Sequence, residues 1–128
     1  TGEKTHLGLI DMEIERNGFG SQLDSFTGSA LIPKVSDVPV PLVFIRAPKI
    51  RSVGPGVEIL WQAEDYIAAV ETPEGLATVF HPELTNNLAF HRYFARKCGL
   101  GTRPALPLEE DSSWTNTSWT RHMRVVPV

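Results

Sequence analysis

A chain of 128 residues with 41% hydrophobic side chains can bury the core of one domain, and a separate second domain is not expected at this length. Fifteen acidic against twelve basic side chains give a net charge of −3, with no Lys/Arg block, so the electrostatic footprint of a nucleic-acid or acidic-membrane binder is missing. The single cysteine, Cys98, excludes an intrachain disulfide and a cysteine-based zinc cage.

No apolar stretch approaches the roughly 20 residues a spanning helix requires, and no signal-peptide core opens the chain, so a soluble cytoplasmic protein is expected. The first residue is Thr1, and regular structure is expected almost at once, so the chain is expected to begin inside a larger protein.

Residues 7–14 alternate apolar and acidic positions, as a half-buried strand does. Residues 15–26 carry two glycines and an Asn17-Gly18 step, a turn signature, with Phe19 as an expected anchor of a polar loop. Residues 35–41 hold two prolines and an aspartate and read as a loop into a buried strand, Leu42-Val43-Phe44-Ile45, which Arg46-Ala47-Pro48 ends. Arg16 and Arg46 thus both stand at strand ends. There a guanidinium fork can bind a carboxylate, although a surface ion pair worth little is as common.

After a turn at Gly54-Pro55-Gly56, residues 57–63 and 66–71 read as two strands joined by Glu64-Asp65. Pro73-Glu74-Gly75 returns the chain into residues 76–80, read as a buried strand that closes a meander, so the sheet is expected to be mixed. His81 and Glu83 follow it. Two residues apart in extended backbone, and with Pro82 biasing His81 toward that conformation, their side chains are expected to share a direction. A carboxylate beside a histidine selects its tautomer and stabilises the imidazolium, which is what a general base acting on a nucleophile requires. The bland reading is a solvated turn.

Thr85 suits the N-cap of a helix over residues 86–97, with Ala89, Phe90, Tyr93, Phe94 and Cys98 on its buried stripe and Arg92, Arg96 and Lys97 toward water. Gly99 supplies the stop, and Cys98 reads as a small core hydrophobe rather than a nucleophile. Residues 100–128 show no period of either kind and are expected to form an irregular or disordered extension to a domain spanning residues 1–99. A metal site from His81, His91 and Glu83 matches no familiar ligand spacing.

Three motifs line up in order: Glu15-Arg16-Asn17 through Phe26, then Phe44-Ile45-Arg46-Ala47-Pro48, then Phe80-His81-Pro82-Glu83-Leu84-Thr85. Together they resemble the glutaminase subunit of the ribose 5-phosphate-dependent pyridoxal 5′-phosphate synthase, a class I glutamine amidotransferase. The resemblance covers about residues 7–97. It implies an α/β fold, here the C-terminal portion of a flavodoxin-like amidotransferase domain. It also implies a cysteine that attacks the carboxamide of L-glutamine, and ammonia passed to a synthase subunit in a hetero-oligomer.

By motif, His81 matches the triad histidine and Glu83 its carboxylate, Arg16 matches an arginine that contacts glutamine, and Ile45 and Arg46 match the pair lining that pocket. No cofactor or metal is implied. Two departures stand out. The family's cysteine elbow and its Gly-Gly-Glu glutamine-binding loop occur nowhere in this sequence, and Ser21 stands where an arginine is usual. The chain alone is therefore expected to be inactive, and the alternative is a noncatalytic remnant that binds a synthase-like partner.

Overall fold

The computed structural model describes residues 8–16, 19, 25–101 and 124–125, the last two through their backbone alone. It divides into two compact units, with boundaries at Asp24/Ser25, Ile45/Arg46 and Val79/Phe80.

The first unit is an antiparallel sheet of five strands, β1 (Met12–Glu15), β4 (Lys49–Val53), β5 (Glu58–Gln62), β6 (Ile67–Thr72) and β7 (Gly75–Thr78). The order is β1-β4-β6-β5, with β7 also paired to β6. Strand β1 is shorter than the strand read over residues 7–14, starting only at Met12 and running on to Glu15, but it shows the alternation its sequence promised, every second residue being exposed. It pairs with β4 from Met12↔Val53 to Glu15↔Lys49 across a bulge between Glu13 and Ile14. Strand β6 is buried at all six positions, as befits Ile-Ala-Ala-Val at the centre of a sheet. The expected meander is present as β5, β6 and β7, joined by Glu64-Asp65 and Pro73-Glu74.

The second unit holds β2 (Ser25–Ala30), β3 (Val40–Ile45), a 3₁₀ turn (Pro82–Leu84), the helix α1 (Ala89–Lys97) and β8 (Arg124–Val125). Strands β2 and β3 run antiparallel, Ser25↔Ile45 to Ala30↔Val40, while β8 runs parallel to β2, so a mixed sheet is present, but it is this one and not the sheet of the meander, which is antiparallel throughout. The core is built on β3, whose Leu42 and Phe44 are fully buried. Around Phe44 the rings form a chain: Phe26 stacks on it at 4.4 Å between centroids, Phe80 meets it edge-on at 5.8 Å, and Phe90 meets Phe80 at 5.2 Å. Each such ring is worth about 1.5–3 kcal/mol in burial, with about 0.5–1.5 more from the aromatic geometry.

Several local expectations change. The strand read over residues 76–80 stops at Thr78, with one further backbone bond from Val79 N–H to Ala68 O at 2.9 Å, and its residues are half-buried. The helix begins at Ala89 rather than residue 86. Thr85 is extended, and its hydroxyl donates to the Pro82 carbonyl at 3.0 Å, closing the 3₁₀ turn. The N-cap position is held by Leu88, which has no side-chain cap, and the Asn87 before it contributes an Oδ1 that accepts from the Ala89 N–H at 2.9 Å.

The helix ends as foreseen at Gly99, in the left-handed region at φ 77°. Leu100 N–H bonds to Ala95 O and Gly99 N–H to Arg96 O, the Schellman pattern. Its buried stripe is narrower than expected. Phe90 is buried, whereas Phe94 and Cys98 are exposed, so Cys98 is not the core hydrophobe its spacing suggested. Of the expected irregular extension, only residues 100, 101, 124 and 125 fall among the described residues, and the last two depart from the expectation by forming β8; Asn17-Gly18 and Ser21 lie outside the described residues.

Candidate active site

His81 sits where two constraints meet. Phe80 before it is locked between Phe44 and Phe90, and the backbone N–H of His81 donates to Val43 O at 2.8 Å, fastening the residue to β3. The residue after it is Pro82, whose fixed φ suits the first position of a helical turn. Leu84 N–H returns to His81 O and Thr85 N–H to Pro82 O, both at 3.2 Å, so the chain after His81 curls into a 3₁₀ turn.

That curl corrects the route by which the pair forms. Glu83 lies inside the turn, not on an extended segment, yet its Oε1 comes to 2.7 Å from His81 Nδ1. The turn carries Glu83 back toward the residue that precedes it, and the two polar tips meet over the short Pro82 bridge. The juxtaposition foreseen from H-x-E is present, produced by i→i+3 hydrogen bonding in place of period-two alternation.

The electrostatics agree with the geometry. Burial pushes the Glu83 carboxyl up, but the His81 hydrogen bond, a backbone hydrogen bond and the charges of His81 and His91 outweigh it and hold Glu83 below its ordinary 4.5. An ionised Glu83 accepts from Nδ1–H. The proton on Nδ1 leaves the lone pair on Nε2, the outer nitrogen, where a base must present it. Both side chains remain partly open to solvent, at 41% and 56%. An arriving group can therefore reach them.

Of the other residues singled out, Ile45 is the half-buried last position of β3, paired to Ser25. Arg46 follows it, exposed, and is the one described non-glycine residue with positive φ, at 44°. Holding an arginine there costs about 1–3 kcal/mol, a cost that clusters at binding and catalytic residues. Arg16 is exposed directly after β1. The structure thus brings His81 and Glu83 together, while Arg16 and Arg46 belong to the other unit.

Two contributors escaped the sequence reading. The Val43 carbonyl has no signature, because any residue supplies one. Lys49 had one: a lysine next to Ile50 in a stretch bounded by Pro48 and the Gly54 turn is out of place unless its charge is satisfied.

Comparison with known proteins gives a consistent result. Residues 1–100 match the model of the SNO glutamine amidotransferase family. The pyridoxal 5′-phosphate synthase subunit PdxT of Syntrophus aciditrophicus (strain SB) is 58% identical over 121 residues, covering 94% of this chain and 54% of that protein. The subunit of the same name from Caldanaerobacter subterraneus subsp. tengcongensis is 50% identical over 94 residues, covering 73% and 50%. A crystal structure of a glutamine amidotransferase superposes with a TM-score of 0.69 at 39% identity, covering 77% of this chain and 51% of its own. The chain spans about half the length of the relatives it matches. With 39% identity behind the structural likeness, the α/β architecture is that of a portion of the flavodoxin-like class I amidotransferase fold, and the chain belongs to the SNO glutamine amidotransferase family.

Proposed function

We propose that this chain supplies the base and the orienting carboxylate of a glutaminase that hydrolyses L-glutamine to glutamate and ammonia for pyridoxal 5′-phosphate synthesis. The observation that carries this reading is the His81–Glu83 pair, 2.7 Å apart at a partly open position. In the reaction, His81 Nε2 takes the proton of a cysteine thiol and the thiolate attacks the carboxamide carbon. Glu83 steadies the imidazolium so formed. The C–N bond then breaks, the leaving amine takes the proton from His81 as ammonia, and water cleaves the thioester to glutamate.

Arg16, Arg46 and Ile45 are the glutamine-binding residues in this reading, the arginines holding the α-carboxylate through their planar forks. The thiol comes from another polypeptide segment, since Cys98 lies at the far end of α1 and the cysteine elbow is not in this sequence. A pyridoxal 5′-phosphate synthase subunit is the proposed partner, residues 1–99 are the amidotransferase portion, residues 100–128 are an appendage, and the cytoplasm is the proposed location. Support for the partner comes from the names of the relatives.

The test is ammonia release from L-glutamine. The chain alone is expected to give none above blank. With the thiol-bearing segment and the synthase present, turnover is expected, and His81→Ala should lower kcat by about 10²- to 10⁴-fold. Glutamine turnover by the isolated chain, or turnover indifferent to His81→Ala, overturns the reading. Synthase binding without turnover in the reconstituted system favours the noncatalytic alternative.

A further inference from the structure

We propose that Lys49 is a positioning residue for Arg16, acting as a buried cation that fixes the chain on both sides of it; the inference rests on the reading of Arg16 as a glutamine-binding residue. Lys49 is only 8% exposed, an unusual burial for a lysine. Its Nζ lies 2.5 Å from Asp65 Oδ2, 4.7 Å from the centre of the Phe19 ring and 5.3 Å from that of Tyr66. The two rings stand edge to face, 4.9 Å apart and 84° to one another. The ammonium is thus held by one carboxylate and two aromatic faces, an arrangement that offsets the cost of its desolvation.

The arrangement bears on Arg16 because of where its parts lie in the chain. Glu15, the residue before Arg16, is the cross-strand partner of Lys49 and is ion-paired to Arg51. Phe19, three residues after Arg16, is the ring against the Lys49 ammonium. Arg51 also donates to the Asp65 carbonyl at 2.9 Å, so Glu15, Arg51, Asp65, Lys49 and Phe19 form one connected set. Arg16 lies between its two ends. A long guanidinium side chain loses much rotamer freedom on binding a substrate, and a backbone fixed on both flanks reduces what remains to be ordered. Lys49 touches no substrate in this account, and its effect falls on glutamine binding rather than on proton transfer at His81.

The experiment measures KM and kcat for L-glutamine with this chain reconstituted with the thiol-bearing segment and the synthase partner. Lys49→Met is expected to raise KM roughly tenfold, the scale of one desolvated cation–π contact, with kcat within about twofold. Lys49→Arg, which keeps a cation over the two ring faces, should restore KM to near the parent value. Phe19→Leu, which leaves the Lys49–Asp65 pair in place, should raise KM as Lys49→Met does and serves if that variant fails to fold. Arg16→Ala is the reference: it should raise KM, and adding Lys49→Met to it should raise KM no further. An Arg16→Ala enzyme with parental KM overturns the role given to Arg16 and the proposal with it. A raised KM in Arg16→Ala with parental KM in Lys49→Met or Phe19→Leu overturns the proposal alone. So does a fall in kcat with KM unchanged, or a failure of Lys49→Arg to rescue.

Discussion

His81 donates its backbone N–H to Val43 at 2.8 Å while its ring nitrogen meets Glu83 at 2.7 Å, so one residue is fixed at both ends, by a buried strand and by a carboxylate. The two contacts do different things. The backbone bond sets where the ring is, and the carboxylate sets which nitrogen bears the proton. Glu83→Gln keeps the shape and removes the charge, so it is expected to leave KM for glutamine nearly unchanged and to lower kcat by about 10²-fold in the reconstituted enzyme. Steady-state glutamate formation checks it. An equal loss in KM would mean that Glu83 orders the pocket and not the base.

The same carboxylate contributes to a pH dependence of stability, and two others join it. Glu15 is held below 4.5 chiefly by its hydrogen bond from Arg51, and Asp65 below 3.8 chiefly by its hydrogen bond from Lys49. All three are depressed in the folded chain. Their contribution is therefore present above the unfolded values, about pH 4 to 5, and is lost as the pH falls through the lower folded values. Urea midpoints of the parent chain should hold steady from pH 7 to about pH 5 and fall below about pH 4. The advantage of the parent over Asp65→Asn should be present at pH 7 and shrink as the pH falls below the ordinary 3.8 of the carboxyl and through its lower folded value, where both chains carry a neutral side chain at residue 65.

Much of this was readable in the residues, and what was not has identifiable causes. Strand β3 and the meander of β5 to β7 announced themselves because apolar runs were bounded by Gly and Pro turns. Strand β2 did not: Ser-Phe-Thr-Gly-Ser-Ala is polar and contains a glycine, and only Phe26 and Ala30 are buried, the former against Phe44. Strand β4 hid behind Lys49 and Arg51, two charges whose partners Asp65 and Glu15 are 16 and 36 residues away and invisible to any local pattern. The His81–Glu83 contact was legible as a spacing and Pro82 as its cause, but the turn type was not, because a proline permits either an extended approach or the first position of a 3₁₀ turn.

Tyr66 gives a prediction at the opposite end of the pH scale. Burial, and then the negative charge of Asp65, push its phenol from 10.0 up to about 12. A raised value means the phenol's contribution is complete below pH 10 and is lost as the pH rises toward 12. Absorbance of phenolate should show one late transition near pH 12 that disappears in Tyr66→Phe, which keeps a ring against Lys49. A parent chain with no transition above pH 11 would place Tyr66 in water and remove one face of the Lys49 site.

The last prediction separates steric crowding from backbone conformation at the turn after β4. Gly54 donates its N–H to the Asp11 carbonyl at 2.9 Å, drawing the two backbones together. A Cβ at Gly54 would lie 1.8 Å from Asp11 Oδ2 and 2.4 Å from its Cγ, closer than atoms can approach. The obstacle is the end of an exposed side chain, which can swing away, with the Asp11 Cβ at 3.1 Å as the harder contact. Gly54→Ala is therefore expected to cost about 1 kcal/mol, the scale of an off-rotamer side chain with a slight overpacking. In Asp11→Ala the carboxylate is gone, and the same substitution should cost only a few tenths. Urea denaturation of the four chains of this double-mutant cycle yields the coupling directly. Additive costs would show that Asp11 is a bystander and that the cost of Gly54→Ala arises elsewhere than from this contact.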